Sequence, residues 1–157
     1  VLEDLDAMYW HFRHIQSFEA WQVDGGFIRR FAPPLGPGVA ERFAWSASVT
    51  DAQVAAGRLF RDRFRQHLSD LLGHDGVLLM PTMPDVAPRR DTPEAALEDY
   101  RNRAIRLLCS AGLSGFPQLS LPLSKRDGAP LGISLLGPAG SDRSLVRLAE
   151  RIVTTVS

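Results

Sequence analysis

Several things are scarce in this sequence, and each scarcity removes a class of protein. There is one cysteine, Cys109, so an internal disulfide and any multi-cysteine metal site are excluded. There is one lysine, Lys125, so only one residue can serve where chemistry demands an amine. Net charge is lacking too: 18 basic residues balance 18 acidic ones. That balance gives no electrostatic reason to expect nucleic acid or an anionic membrane as partner. No apolar run approaches the ~18 residues that cross a bilayer, and neither internal repeats nor low-complexity tracts occur. The chain opens on Val-Leu-Glu-Asp with no basic stretch and no cleavage site. It is read as starting inside a helix, as part of something longer, in a reducing, cytoplasmic setting.

What is present is the balance of a globular protein, 45% apolar and 23% charged residues in 157. Leu5, Met8, Phe12, Ile15, Glu19 and Val23 recur at helical spacing and predict a helix from about residue 2 to 23, stopped by Gly25 and Gly26. Residues 31–38, rich in proline and glycine, predict an ordered loop. A short helix follows over 39–47, and Thr50 or Asp51 caps a longer one carrying Val54, Phe60, Phe64, Leu68 and Leu71 on one face. Gly73 ends it. The unbroken run Gly76–Met80 predicts a strand buried on both faces. After the proline-bearing loop 81–92, Pro93 stands where a first-turn proline belongs, ahead of a helix from Glu94 to about Ala111. Two apolar runs, 117–121 and 131–136, flank Asp127-Gly128 and predict a hairpin, with room for a loop wider than two residues. Ser141 or Asp142 caps a last helix with Leu145, Leu148, Ile152 and Val153 inward.

Three strands among four or five helices make a thin sheet with open edges, which soluble domains avoid. The expectation is an α/β protein with a helical first half (1–75) and a strand-and-helix second half (76–157). Its incomplete sheet would be completed by other sequence or by a second copy at its edge.

Isolated chemical motifs fail on inspection. His11 and His14, three apart on a helix, have no third ligand nearby, so they read as ordinary half-buried histidines and no metal is expected. Gly112-Leu-Ser114-Gly115 lacks the final glycine of a nucleophile elbow, and the Gly132–Gly137 stretch falls inside a strand rather than at a strand-to-helix turn. Cys109 near a helix end, even with Arg106 one turn back, reads as a small core residue. Residues 137–141 with Arg143 open a helix that could hold an anion, but a plain Ser-Asp cap explains them as well.

Longer patterns carry more. Ala111–Pro122 resembles the N-x-x-G-x-P-A-x-S-x-P element of the amidase-signature family, and Asp127–Gly137 resembles its D-G-x-P-x-G-x-Q-x-x-G. Val77–Pro84 resembles D-x-L-L-x-P-T-x-P, the capped terminal helix follows in order, and residues 15–21 and 36–42 resemble the helical stretch of bacterial members. The resemblance implies a mixed central sheet of many strands wrapped in helices, of which this chain is a C-terminal portion. It implies a cofactor-free hydrolase of carboxamide or urea-like bonds that uses a serine, a second serine and a lysine base. The serines belong to a Gly-Gly-Ser-Ser-Gly-Gly stretch absent here, and Lys125 sits beside a turn, so no catalytic residue is assigned to this chain. For binding a small amide substrate, the resemblance to tRNA-dependent amidotransferase A subunits points to Arg42 as the carboxylate-facing arginine. The acidic residue of those subunits would fall near Ile105, a departure that argues against a glutamine-type substrate. Thr82 and Met83, in the loop after a strand, and Arg101 with Asn102 are further candidates. The rival expectation is a non-catalytic module that pairs through its sheet edge.

Overall fold

The computed structural model describes residues 4–36 and 38–156. Residues 1–3, where the first predicted helix was to begin, and Pro37 of the predicted loop lie outside that set. The chain divides into two compact units, 1–63 and 64–157.

In the first unit the Asp4 carboxylate accepts a hydrogen bond from the Asp6 N–H at 2.9 Å and starts α1, Leu5–Phe31. Met8 and Ile15 are buried as their spacing predicts, but Glu19 and Val23 face outward. Gly25 and Gly26 do not stop the helix. A Cβ on Gly25 would lie 2.6 Å from the Trp21 ring, so the bare glycine gives the indole of the preceding turn room to lie over the backbone. The true stop is Ala32, left-handed at φ 41, which donates to the Ile28 carbonyl just before Pro33.

Then α2 (Val39–Ser48) follows, and α3 (Asp51–Leu72) begins at a reciprocal cap. The Thr50 Oγ1 accepts from the Gln53 N–H at 3.3 Å, while the Gln53 Oε1 accepts from the Thr50 N–H at 2.9 Å. Helix α3 meets α1 at Gly57, where a Cβ would stand 3.0 Å from Ile15 Cγ1 and 3.2 Å from the His11 carbonyl oxygen. Along α3, Val54, Phe60, Phe64 and Leu68 are buried as expected. Leu72 completes the stripe in place of the exposed Leu71, because the 3.6-residue period has rotated one position by the last turn.

The second unit holds the end of α3, closed by Gly73 at φ 57, and then β1 (Leu78–Pro81), α4 (Glu94–Ser114), β2 (Gln118–Arg126), β3 (Ala129–Leu136) and α5 (Asp142–Val156). Pro93 occupies the cap position rather than the first helical one, and α4 runs past Ala111 to a left-handed Gly115. The hairpin is tight. Asp127 and Gly128 alone form its turn, both at positive φ (51 and 80), which matches the right-handed twist of the flanking strands.

The sheet order is β1-β3-β2, antiparallel throughout. One extra residue bulges β2 between Leu121 and Ser124, at Pro122, which has no N–H to give the ladder. Helix α5 packs its apolar face on β2 and β3, where Leu121, Leu135, Leu145 and Ala149 form a buried cluster. The strand buried on both faces is therefore the central β3, with Ser134, Leu135 and Leu136 all enclosed, and not β1. Leu79 pairs with Leu135 in register yet is 65% exposed, because β1 is an edge strand beyond the reach of α5.

Candidate functional site

The register of the second unit puts Ser120 opposite Ser134 and Met80 opposite the same serine. Side chains alternate along a strand, so Ser120, Ser134 and Thr82, two residues past Met80, share one face. There the Thr82 Oγ1 lies 2.7 Å from the Ser120 Oγ and 2.8 Å from the Ser134 Oγ. The Thr82 N–H donates to the Gly132 carbonyl at 2.8 Å, which pins the loop start to β3. Gly132 has to be bare, since a Cβ would fall 2.7 Å from Thr82 Oγ1 and 2.9 Å from Ser120 Oγ. Ser134 is fully enclosed and Ser120 is exposed, so the three hydroxyls run from the interior to the surface. Uncharged hydroxyls in a chain can donate or accept toward an amide. Among the described residues no base hydrogen-bonds to them to make a nucleophile.

The loop that follows is tied down. Asp85 pairs with Arg126 at 3.2 Å, and the Tyr100 hydroxyl donates to the Asp85 carbonyl at 3.0 Å. Burial, with the Asp85 charge second, raises the Tyr100 pKa, so the phenol stays protonated and keeps donating. Met83 is half-buried within this loop. Arg101, the residue after Tyr100, is engaged elsewhere: its Nη1 donates to Glu94 at 2.8 Å and Glu98 at 3.2 Å, and those bonds raise its pKa. Asn102 is half-buried. Lys125 is exposed, paired in register with Pro130 one step from the hairpin turn.

Arg42 belongs to the first unit. It lines a hollow of about 300 Å³ between α1 and α2, together with Arg13, Gln16, Ser17, Phe43 and Ser46. Ser46 donates to the Arg42 carbonyl at 2.8 Å and so turns its own hydroxyl away from a ligand. Sequence reasoning missed Arg13, whose guanidinium lies 4.9 Å from the Trp45 ring centroid and 5.7 Å from that of Tyr9. No motif marks it; only the packing of α2 on α1 reveals it.

The isolated motifs are resolved by their surroundings. His11 stacks on Phe60 and His14 on Trp45, and no group of three metal-binding side chains forms among the described residues. Ser114 lies at the end of α4 and donates to the Ser110 carbonyl at 2.7 Å. Cys109 is enclosed, and burial pushes its thiol up to about 11. The Ser141 Oγ is buried without a hydrogen-bond partner beside a hollow of about 420 Å³, whose wall carries His74, Asp75 and Arg151 but not the Arg143 expected there. No helix among the described residues is long and apolar enough to cross a membrane.

Against known proteins, the family model described as Amidase matches residues 27–146. The chain is 34% identical over 155 residues to Amidase 1 of Arabidopsis thaliana, covering 99% of this chain and 36% of the relative. Among solved structures, one described as a crystal structure of amidase superposes at a TM-score of 0.83 with 22% identity, covering 98% of this chain and 36% of the other. The allophanate hydrolase of Kluyveromyces lactis superposes at 0.78 with 24% identity, covering 99% and 26%. At those identities the two structures speak for the fold alone. The chain thus spans 36% of the length of Amidase 1 and of the amidase structure, and 26% of the allophanate hydrolase. With that match across most of its residues, the chain belongs to the amidase-signature family.

Proposed function

We propose that this chain is the C-terminal part of a Ser-Ser-Lys amidohydrolase that cleaves a carboxamide or urea-like C–N bond. In this reading it supplies scaffold strands and pocket wall but no catalytic group, and it needs neither metal nor organic cofactor. The observation that carries the reading is the position of Lys125. A lysine acts as a base near neutral pH only when burial and neighbours lower its pKa, and the single lysine here is exposed beside a hairpin turn. The acyl-transfer machinery then belongs to sequence outside these 157 residues, in the same reducing cytoplasm that suits a free Cys109. Arg42 is assigned to a substrate carboxylate, for which a guanidinium offers two parallel donors. Thr82 and Met83 form wall at the strand end, as do Arg101 and Asn102 on α4.

The test is an amidase assay of the purified chain on small primary amides and urea derivatives, with release of ammonia as the readout. No turnover above the uncatalysed rate is expected. Turnover that disappears in Lys125→Ala would refute the reading.

A second reading, a non-catalytic module that pairs through its sheet edge, is favoured by one observation: Leu79 stands exposed on β1, whose other edge is unpaired among the described residues. Light scattering separates the two. A stable homodimer broken by Leu79→Lys supports pairing between copies, and a monomer at all concentrations opposes it.

A further inference from the structure

Two histidines of α1 join the three helices of the first unit. His14 is stacked between Trp10 of its own helix (6.1 Å between centroids, 30° between planes) and Trp45 of α2 (5.9 Å, 25°). Its Nε2 lies 3.4 Å from Gln53 Nε2 of α3. His11, one turn earlier, stacks on Phe60 of α3 at 4.4 Å and 24°, and its Nδ1 is buried with no hydrogen-bond partner. Each ring thus faces a flat aromatic partner from another helix.

The charges acting on the rings all have one sign. Arg63 of α3 acts on His11, while Arg13 of α1 and His11 itself act on His14; α2 presents the uncharged Trp45. A neutral imidazole tolerates this setting. An imidazolium needs acceptors for both N–H groups, and the buried Nδ1 of His11 has none. Stacking of a cation on an indole would recover part of the loss, but the Trp45 ring already carries the Arg13 guanidinium at 4.9 Å.

We propose that His11 and His14 form an acid-labile clamp that holds α1, α2 and α3 together while the rings are neutral and releases them when the rings protonate. The hollow lined by Arg13 and Arg42 lies between the same two helices, α1 and α2. Both pKa values are lowered, mainly by burial. The sign is therefore fixed. The unfolded chain takes up these protons first, near the ordinary histidine value of about 6.5. The contribution to stability is complete above that pH and is lost as pH falls through the lowered values of the folded state.

All three tryptophans lie in residues 1–63, so their emission reports this unit. Thermal unfolding of the chain followed by tryptophan emission should show a midpoint lower by about 5 °C at pH 5.5 than at pH 7.5. The double variant His11→Phe with His14→Phe keeps flat rings without a titrating group and should lose most of that difference. A variant with the full wild-type pH dependence would overturn the clamp. Should the double variant not fold, the imidazole C–H resonances of the unaltered chain decide instead: midpoints below 6.5 for His11 and His14 support it, and midpoints at or above 6.5 reject it.

Discussion

Thr82 and Ser134 share a hydrogen bond of 2.8 Å that joins the exit of β1 to the middle of β3, and Ser134 is wholly enclosed there. A buried hydroxyl that loses its partner keeps its desolvation cost. Thr82→Val, which matches threonine in shape but removes its oxygen, is expected to cost about 1–3 kcal/mol in urea unfolding. Adding Ser134→Ala should recover part of that loss, because the orphaned group is then gone. Simple additivity of the two would deny the coupling.

Gly132 sits beneath the same hydroxyls. Gly132→Ala places a methyl 2.7 Å from Thr82 Oγ1, closer than carbon and oxygen tolerate. Overpacking of this kind costs about 1–3 kcal/mol. The expected readout is a lower urea midpoint at an unchanged slope. A midpoint equal to that of the parent chain would show that the loop at Thr82 yields freely.

Arg101 gives the opposite expectation. Its two carboxylate partners are on its own helix, and all three side chains are largely exposed, so water and salt screen the pairs. Arg101→Ala should leave the unfolding midpoint unchanged within error at 0.15 M salt. A clear loss of stability would mean that Arg101 has a structural duty and would weaken its assignment to the pocket wall.

The hydroxyl chain also shows what was legible in the sequence. Thr82 was legible as a loop residue after a strand, but only the antiparallel register, with Ser120 opposite Ser134, brings the three hydroxyls together. The Asp127-Gly128 hairpin was legible because turn chemistry is local, and both residues adopt the positive φ their types favour. The run at Gly76–Met80 misled because an apolar run states what a strand would bury, not what is there to bury it. With α5 over β2 and β3, Leu79 is left uncovered. Gly25 and Gly26 misled for a related reason: glycine costs a helix about 1 kcal/mol, and tertiary context overrides so small a preference. Arg13 gave no signal, since its place beside Arg42 depends on how α2 lies against α1.

Cys109 supplies a chemical test of the packing of the second unit. It is 1% exposed near the end of α4, and burial raises its thiol to about 11, outweighing the lowering influence of its backbone hydrogen bond and of Arg106. A raised thiol pKa means that at pH 8 the group is almost wholly S–H, and only the thiolate attacks alkylating reagents. In native buffer at pH 8, iodoacetamide should therefore label the chain far more slowly than it labels a free thiol. In 6 M guanidinium the same residue regains an ordinary pKa and full access, and labelling should reach completion within minutes. Raising the native sample from pH 8 to pH 9.5 separates the two protections. If ionisation limits the reaction, the rate climbs with the thiolate fraction; if opening of the unit is itself the slow step, the rate stays flat. Rapid native labelling at pH 8 would contradict both, and with them the enclosure of Cys109.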